Sequence, residues 1–293
     1  EPLFIGTETG ETLNPYACII IREAQRRGIY VEVLDAEGAY FELSFGGRSI
    51  VCRESLSELT SAIAMSRCDD NATTHRVLRQ AGLRVPAQVR VSDEAQAQAF
   101  LEKHGSVVVK PARGEQGAGI SVDVREAQAL RQAIEKAQAL CEMVILEEYL
   151  EGDDLRIIVI GEEVVAAAVR KPAEIVGNGR DVVRDLIEKQ SRRRAAATGG
   201  ESRIPLDGET KRFVEEAGYS LEAVLPENQR LVVRKTANLH TGGTIHDVTA
   251  ELHPILRKAA VDAARALNIP VTGLDFIVPA VDENEVNRIK KKV

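Results

Sequence analysis

Residues 106–120 read SVVVKPARGEQGAGI, and the fold turns on what this stretch forms. Ser106 to Val109 is a short β-branched run with the composition of a buried strand. Lys110 and Pro111 end it, and Gly114, Gly117 and Gly119 follow, flanked by Arg113, Glu115 and Gln116. Glycine lets backbone N–H groups approach an anion closely, and the lysine adds a full positive charge. A strand that delivers a lysine into such a loop is a phosphate cradle. An ordinary glycine-rich hairpin has the same spelling, and the stretch alone does not separate the two. The absence of G-x-x-x-x-G-K-[ST] excludes a P-loop. Ile120 to Val124 reads as a second strand, which argues against a dinucleotide-binding strand–turn–helix.

Composition narrows the class. A chain of 293 residues predicts two or three lobes rather than one core. Lysine plus arginine give 38 against 45 acids, a net charge of −7, which disfavours general nucleic-acid binding. Aromatics are 4% and tryptophan is absent, so base-stacking platforms are scarce. Cys18, Cys52, Cys68 and Cys141 are widely spaced and read as free thiols of a reducing compartment. With no long apolar run and no signal peptide, the expectation is a soluble, cytoplasmic protein without membrane contact.

Outward from the glycine loop, the chain opens with Asn14-Pro15, a cap and first-turn pair for a helix over Tyr16–Arg27. A strand at Ile29–Leu34 and a hairpin, Tyr40–Phe45 and Ser49–Cys52 around Gly46-Gly47, complete an α/β module over residues 1–65. Asp70 or Asn71 caps a helix over Ala72–Ala81, closed by Gly82, and Ser92 caps another over Asp93–His104. With a helix at Glu126–Cys141, residues 66–150 form a lobe of antiparallel strands backed by helices. The stretch MVILEEYLEGDDLRIIVI carries a strand ending in Glu147-Glu148-Tyr149-Leu150, then a strand at Leu155–Ile160. Charges at a buried strand end must be paired or solvated. Residues 151–293 add a strand at Val164–Lys171, helices at Val182–Arg193 and from His253-Pro254 to Leu267, and a loop over 191–210. The strand VTGLDFIV holds Asp275, and an acid inside an apolar strand needs a counterion or a metal.

The strand-end cations Lys110, Arg156, Arg170, Lys171 and Arg234 are costly to gather without an anion. A nucleotide triphosphate with Mg²⁺ fits them, with cations on phosphates, carboxylates on the metal and Glu147–Leu150 facing the base.

Taken together, VVVKP with its glycine flap, ILEEYLEGDDLR and GLDFIV resemble, in that order, the ATP-grasp fold over roughly residues 66–280. RKTANLHTGGTIHDVT and RKPAEIVGNGRDVV resemble the amino-acid ligases of that superfamily: cyanophycin synthetase, the bifunctional glutathione synthetase and N-acetylglutaminylglutamine synthetase. LNPYACIIIREAQRRGI and the MSRCDD segment look most like the last. The resemblance implies an α+β fold, two lobes clamping ATP behind a small pre-ATP-grasp module. It implies an ATP- and Mg²⁺-dependent carboxylate–amine ligase acting through an acyl phosphate on amino-acid or dipeptide substrates of the glutamine or glutamate type. It also implies an acetyltransferase fused in front and a homo-oligomer. A nucleotide-binding module without catalysis, or a ligase like the cyanophycin or glutathione synthetases, is the alternative.

By the same resemblance, Lys110 contacts the α/β-phosphates, with Arg113 and the flap of Gly114, Gly117 and Gly119 over them. Glu147, Glu148 and Leu150 take the adenine, partly through backbone groups, and Asp154 holds the ribose. Arg156 and Arg170 neutralise the transferring phosphoryl group, Asn238, Gly242 and Gly243 lie near the substrate, and Asp275 binds the metal. Two departures stand out. Asn71 sits where relatives place a second phosphate lysine, with His75 or Arg76 as candidate substitutes. The tail AVDENEVNRIKKKV spells Glu285 and Asn287 without the apolar strand that precedes these metal ligands in relatives.

Overall fold

The computed structural model describes residues 13–113, 118–279 and 281. The first element among the described residues is α1 (Pro15–Arg26), whose cap Asn14 accepts from the Ala17 N–H at 2.9 Å. Strands β1 (Tyr30–Asp35), β2 (Tyr40–Phe45), β3 (Arg48–Arg53) and β4 (Leu56–Ser57) follow as an antiparallel meander. Gly46 and Gly47 both take positive φ, +58° and +77°, the twist a two-residue hairpin turn requires. Ala17, Ile21 and Ala24 of α1 pack on Val31, Phe41 and Cys52 of this sheet.

Next come α2 (Ala62–Asp69) and α3 (Asn71–Gln80). The sequence reading contained no α2, because its short run carries little apolar periodicity. Asp70 ends α2 and caps α3, accepting from the Thr73 N–H at 2.7 Å. That hydrogen bond is the first cause holding the Asp70 carboxyl below its usual range.

The second sheet contains β5 (Gln88–Arg90), β6 (Val107–Pro111), β7 (Ser121–Val124) and β8 (Val144–Glu148), with α4 (Glu94–His104) and α5 (Ala127–Gln138) interspersed. Its order is β5-β8-β6-β7, all antiparallel. Leu101, Leu130 and Ala133 of the helices bury Val107, Val109 and Leu146 on one face. The cap of α4 is Asp93, not Ser92: the Asp93 carboxylate takes the Gln96 N–H at 2.8 Å, while the Ser92 hydroxyl bonds the Asp93 and Gln96 side chains.

The remaining elements are β9 (Asp153–Ile160), β10 (Glu163–Lys171), β11 (Glu174–Val176), α6 (Val183–Ala197), α7 (Gly208–Glu216), β12 (Arg230–Val232), β13 (Thr244–Asp247), α8 (Pro254–Leu267) and β14 (Val271–Val278). A sheet of order β13-β10-β9-β14 packs Leu155, Ile157 and Val159 against Ala260 and Ala264 of α8. The ribbon β11-β12 shares a separate core with α6 and α7 through Ile175, Ile187, Val214 and Leu231. The expected loop over 191–210 is helical as far as Ala197, since alanine and arginine are strong helix formers. Ala64 and partly buried Val77 and Leu78, from α2 and α3, meet Leu267 and Ile269 at the end of α8. All four cysteines are free thiols, and among the described residues no helix is long and apolar enough to cross a membrane.

Candidate active site

Strand alternation sorts the second sheet. Val107 and Val109 turn to the helices, so Val108 and Lys110 occupy the opposite face. The register pairs Val108 with Glu147 and Lys110 with Ile145, which makes Lys110 and Glu147 diagonal neighbours. Lys110 Nζ lies 2.7 Å from Glu147 Oε1, and Gln88 Nε2 donates to the same oxygen at 2.7 Å. Glu148 turns the other way, towards His104 Nδ1 at 3.3 Å, so its side chain is away from Lys110. The Glu148 and Tyr149 N–H groups donate to the Ala87 and Ser106 carbonyls. Leu150 is exposed just beyond the strand.

Gly114 and Gly117 of the expected flap lie outside the described residues. Gly119 has φ +73°, which favours glycine at this end, and a Cβ there would push on the exposed Leu140 side chain, 2.7 Å from its Cδ1. Arg113 is exposed, with Nε 3.9 Å from carboxylate oxygens of both Asp69 and Asp70. Asn71 anchors the other end. Its N–H donates to the Ala112 carbonyl at 3.2 Å, and its Nδ2 donates to the Ala112 carbonyl at 3.1 Å and the Pro111 carbonyl at 3.4 Å. His75 bonds the Pro86 carbonyl at 2.7 Å, and Arg76 donates to Thr73 Oγ1 at 3.3 Å.

A second charged group crosses the third sheet. Asp154 and Arg156 of β9 stand opposite Arg170 of β10 and Asp275 of β14 respectively. Arg156 Nη1 donates to both Asp275 oxygens, at 2.7 and 2.9 Å. Arg170 donates through Nε and Nη2 to Asp154 Oδ1, at 3.0 and 2.7 Å, and its Nη2 lies 3.0 Å from Asp275 Oδ1. Burial pushes the Asp154 carboxyl up, with Arg170 only partly offsetting it. Burial lowers the Arg170 pKa, but Asp275 and Asp154 outweigh it and hold the guanidinium charged. Gly273, two residues before Asp275, makes room: a Cβ there would meet Arg156 Nε at 2.7 Å.

Among the described residues no group of three or more His, Cys, Asp or Glu is placed to hold a metal. Mg²⁺ carried by a nucleotide needs only one or two carboxylates. Half-exposed Asp275 is a hard oxygen donor of that kind, but its oxygens are bonded to Arg156 and Arg170, so a phosphate-borne ion would share this carboxylate with the two guanidinium groups. Glu285 and Asn287 lie outside the described residues.

Asn238 caps the short turn Leu239–Thr241, accepting from the His240 N–H at 2.8 Å. Gly242 has φ +91° and packs on Ile204, and a Cβ at Gly243 would meet the Ala237 and Asn238 carbonyl oxygens at 2.8 and 2.9 Å. This accounts for both glycines by packing. Arg234 is buried and bonds Asp207 at 2.7 Å and Glu209 at 2.6 Å, so that cation is taken by the cap and first turn of α7. Lys235 instead crosses to the second sheet. It ion-pairs with Asp123 of β7 and lies 4.6 Å above the Tyr149 ring. Burial pushes the Asp123 carboxyl up, but hydrogen bonds from Lys235, Ser106 and Arg125 prevail and hold its pKa at about 2.

The structure thus brings Lys110 to Glu147, and Arg156 and Arg170 to Asp154 and Asp275. The sequence reading missed Gln88, Asp123, Lys235 and Gly273. Of these only Gly273 carried a signal, a glycine inside an apolar strand, which marks a close approach.

Residues 68–180 match the family described as a RimK-like ATP-grasp domain. The chain is 31% identical over 271 residues to cyanophycin synthetase of a Nostoc species, covering 91% of this chain and 30% of that protein. It is 27% identical over 281 residues to the glutathione biosynthesis bifunctional protein of Clostridium perfringens, covering 93% of this chain and 36% of that protein. The crystal structure of a bifunctional glutathione synthetase from Pasteurella multocida superposes with a TM-score of 0.63 at 24% identity, over 93% of this chain and 38% of that one. The chain spans about a third of the length of these curated relatives.

Proposed function

Starting from the RimK-like ATP-grasp domain that residues 68–180 form, we propose that the chain is an ATP-dependent carboxylate–amine ligase. The observation that carries this is the charged group of Arg156, Arg170, Asp154 and Asp275 on one sheet, with the Lys110–Glu147 pair on another. The three parts proposed are a leading module over 1–65, a glycine-flap lobe over 66–150 and a second lobe over 151–293.

In this reading Lys110 exchanges Glu147 for phosphate oxygens, while Gln88 keeps a bond to the Glu147 carboxylate. A substrate carboxylate oxygen attacks the γ-phosphorus, and ADP leaves with the electrons of the broken P–O bond. The amine then attacks the acyl carbon, inorganic phosphate departs, and the amine proton is lost as the amide forms. Positioning and charge neutralisation are the protein's contribution, so no protein nucleophile is needed. Arg170, held charged by its two carboxylates, and Arg156 neutralise the oxygens of the transferring group. Asp275 would hold Mg²⁺, which supplies charge neutralisation on the phosphates. Amino-acid or dipeptide substrates are proposed on the likeness to cyanophycin and glutathione synthetases, and the glutamine or glutamate type on the resemblance of the opening segment to N-acetylglutaminylglutamine synthetase.

The test is phosphate release with Mg²⁺ across a panel of acids and amines. The expected result is turnover that requires both. Nucleotide binding with no ADP formed under any pair would favour a non-catalytic module, for which Asn71 in place of a phosphate lysine is the supporting observation. Lys110→Ala should weaken ATP binding on the order of 10–100-fold by calorimetry, the loss of one charge-assisted phosphate contact. Unchanged affinity would remove Lys110 from the site.

A further inference from the structure

A cavity of about 240 Å³ opens at the free edge of β7, between α5 and α7. Its α5 wall lies on the side of that sheet opposite Lys110, while Lys235, bonded to Asp123, also lines it. Its walls are of two kinds. Val122, Val124, Ala129, Ala133 and Phe213 form an apolar lining, and Lys136, Arg212 and Lys235 bring cations from α5, α7 and the segment after β12.

The charges are unevenly matched. Glu209, the one carboxylate in the lining, is bonded to Arg234 at 2.6 Å. Lys235 is held by Asp123, and Arg212 bonds Glu216 at 3.1 Å while lying over the Phe213 ring. Among the described residues no carboxylate pairs with Lys136, whose Nζ reaches only the Ile120 carbonyl at 3.4 Å. Beside an apolar wall, Lys136 is thus a positive charge left without a carboxylate, with two further cations, each already paired, close by. Ala129, Gln132 and Lys136 recur at helical spacing along the exposed side of α5, so small Ala129 leaves the opening that Lys136 overlooks.

We infer that this cavity binds a small organic anion with an aliphatic body, its carboxylate on Lys136 and Arg212 and its methylenes on Val122, Val124 and Phe213. Apolar walls with a few converging polar groups are the usual make-up of a small-molecule site, and its small size suits a ligand of amino-acid dimensions. The walls come from both the second sheet and the α7 unit, so occupancy ties the two together and stabilises the folded chain by linkage. The site does not depend on the proposed ligase reading, and ATP binding should be indifferent to mutations at Lys136, Arg212 and Ala129.

Glutarate is the probe, with inorganic phosphate and sodium chloride at matched ionic strength as comparisons, followed by calorimetry and thermal unfolding of the full chain. The expected result is saturable glutarate binding with a rise in Tm that neither comparison reproduces. The double variant Lys136→Gln/Arg212→Gln should lose at least about tenfold in glutarate affinity while binding ATP normally. Ala129→Leu, which fills the cavity at an exposed helical position without changing charge, should block glutarate as well and guards against a charge variant that fails to fold. Phosphate binding as tightly as glutarate would overturn the aliphatic part of the assignment. Glutarate binding that persists in both variants, or an effect equal to that of salt, would overturn the site.

Discussion

Two guanidinium sites in this chain, one at Arg234 and one shared by Arg156 and Arg170, look alike on paper and differ in burial. Arg234 is 5% exposed in its side chain and bonds Asp207, Glu209 and Thr210, the residues that begin α7. Arg156 and Arg170 also pair with acids, but their side chains are 41% and 21% exposed and share the half-open carboxylate of Asp275. A buried charge whose partners are fixed cannot meet a ligand, whereas a partly open pair can exchange partners when a phosphate arrives. Charge type in the sequence marks both; burial separates the one that holds a helix from the ones left open to a ligand.

The comparison breaks first at Arg234. Arg234→Ala removes a buried guanidinium and leaves half-exposed Asp207 and partly exposed Glu209 without it, which should cost about 2–3 kcal/mol in denaturant unfolding, with turnover falling only as folded protein is lost. Arg170→Ala should do the reverse, lowering the rate of phosphate release on the order of 10²–10³-fold with a stability loss of about 1–2 kcal/mol. If the two variants behaved alike, the distinction between structural and site arginines would fail.

Acid titration sharpens it further. The folded Asp123 pKa of about 2 lies below its unfolded value of 3.8, so its contribution is fully present above about pH 4 and is lost as pH falls through 2. That contribution is about 2 kcal/mol, and Asp123→Asn should remove this part of the acid-unfolding slope. Asp154 has the opposite sign: its raised pKa means the folded state binds the extra proton, so stability from this group is greatest in acid and declines as pH rises through the folded value. The smallest effect is expected at Gly273→Ala. The added methyl displaces Arg156 from Asp275, costing about 1 kcal/mol in unfolding and weakening turnover less than loss of Arg156 itself.

Much of this architecture was legible because local rules and tertiary packing agree. Asn14-Pro15, the Gly46-Gly47 turn, and the alternation through Val107–Pro111 each name their element before any packing is considered. Helix α2 was not legible, since its stability rests on Ala64 packing against Leu267 and Ile269, some 200 residues away in sequence on the order of chain length. Likewise, His104 as the partner of Glu148 and Lys235 as the partner of Asp123 are set by sheet pairing and the approach of distant segments. Strand spacing says that Glu147 and Glu148 face opposite ways, but not which one meets Lys110.

Asn71 carries a mechanical consequence. It sits at the first turn of α3, holding the Pro111 and Ala112 carbonyls, while Val77 and Leu78 further along the same helix touch the end of α8. A helix of 10 residues is a stiff rod of about 15 Å. One end is fastened to the root of the glycine loop and the other rests on the helix that backs the Asp275 sheet. The rod therefore ties residues 111–112 to the end of α8 through hydrogen bonds at one end and packed side chains at the other.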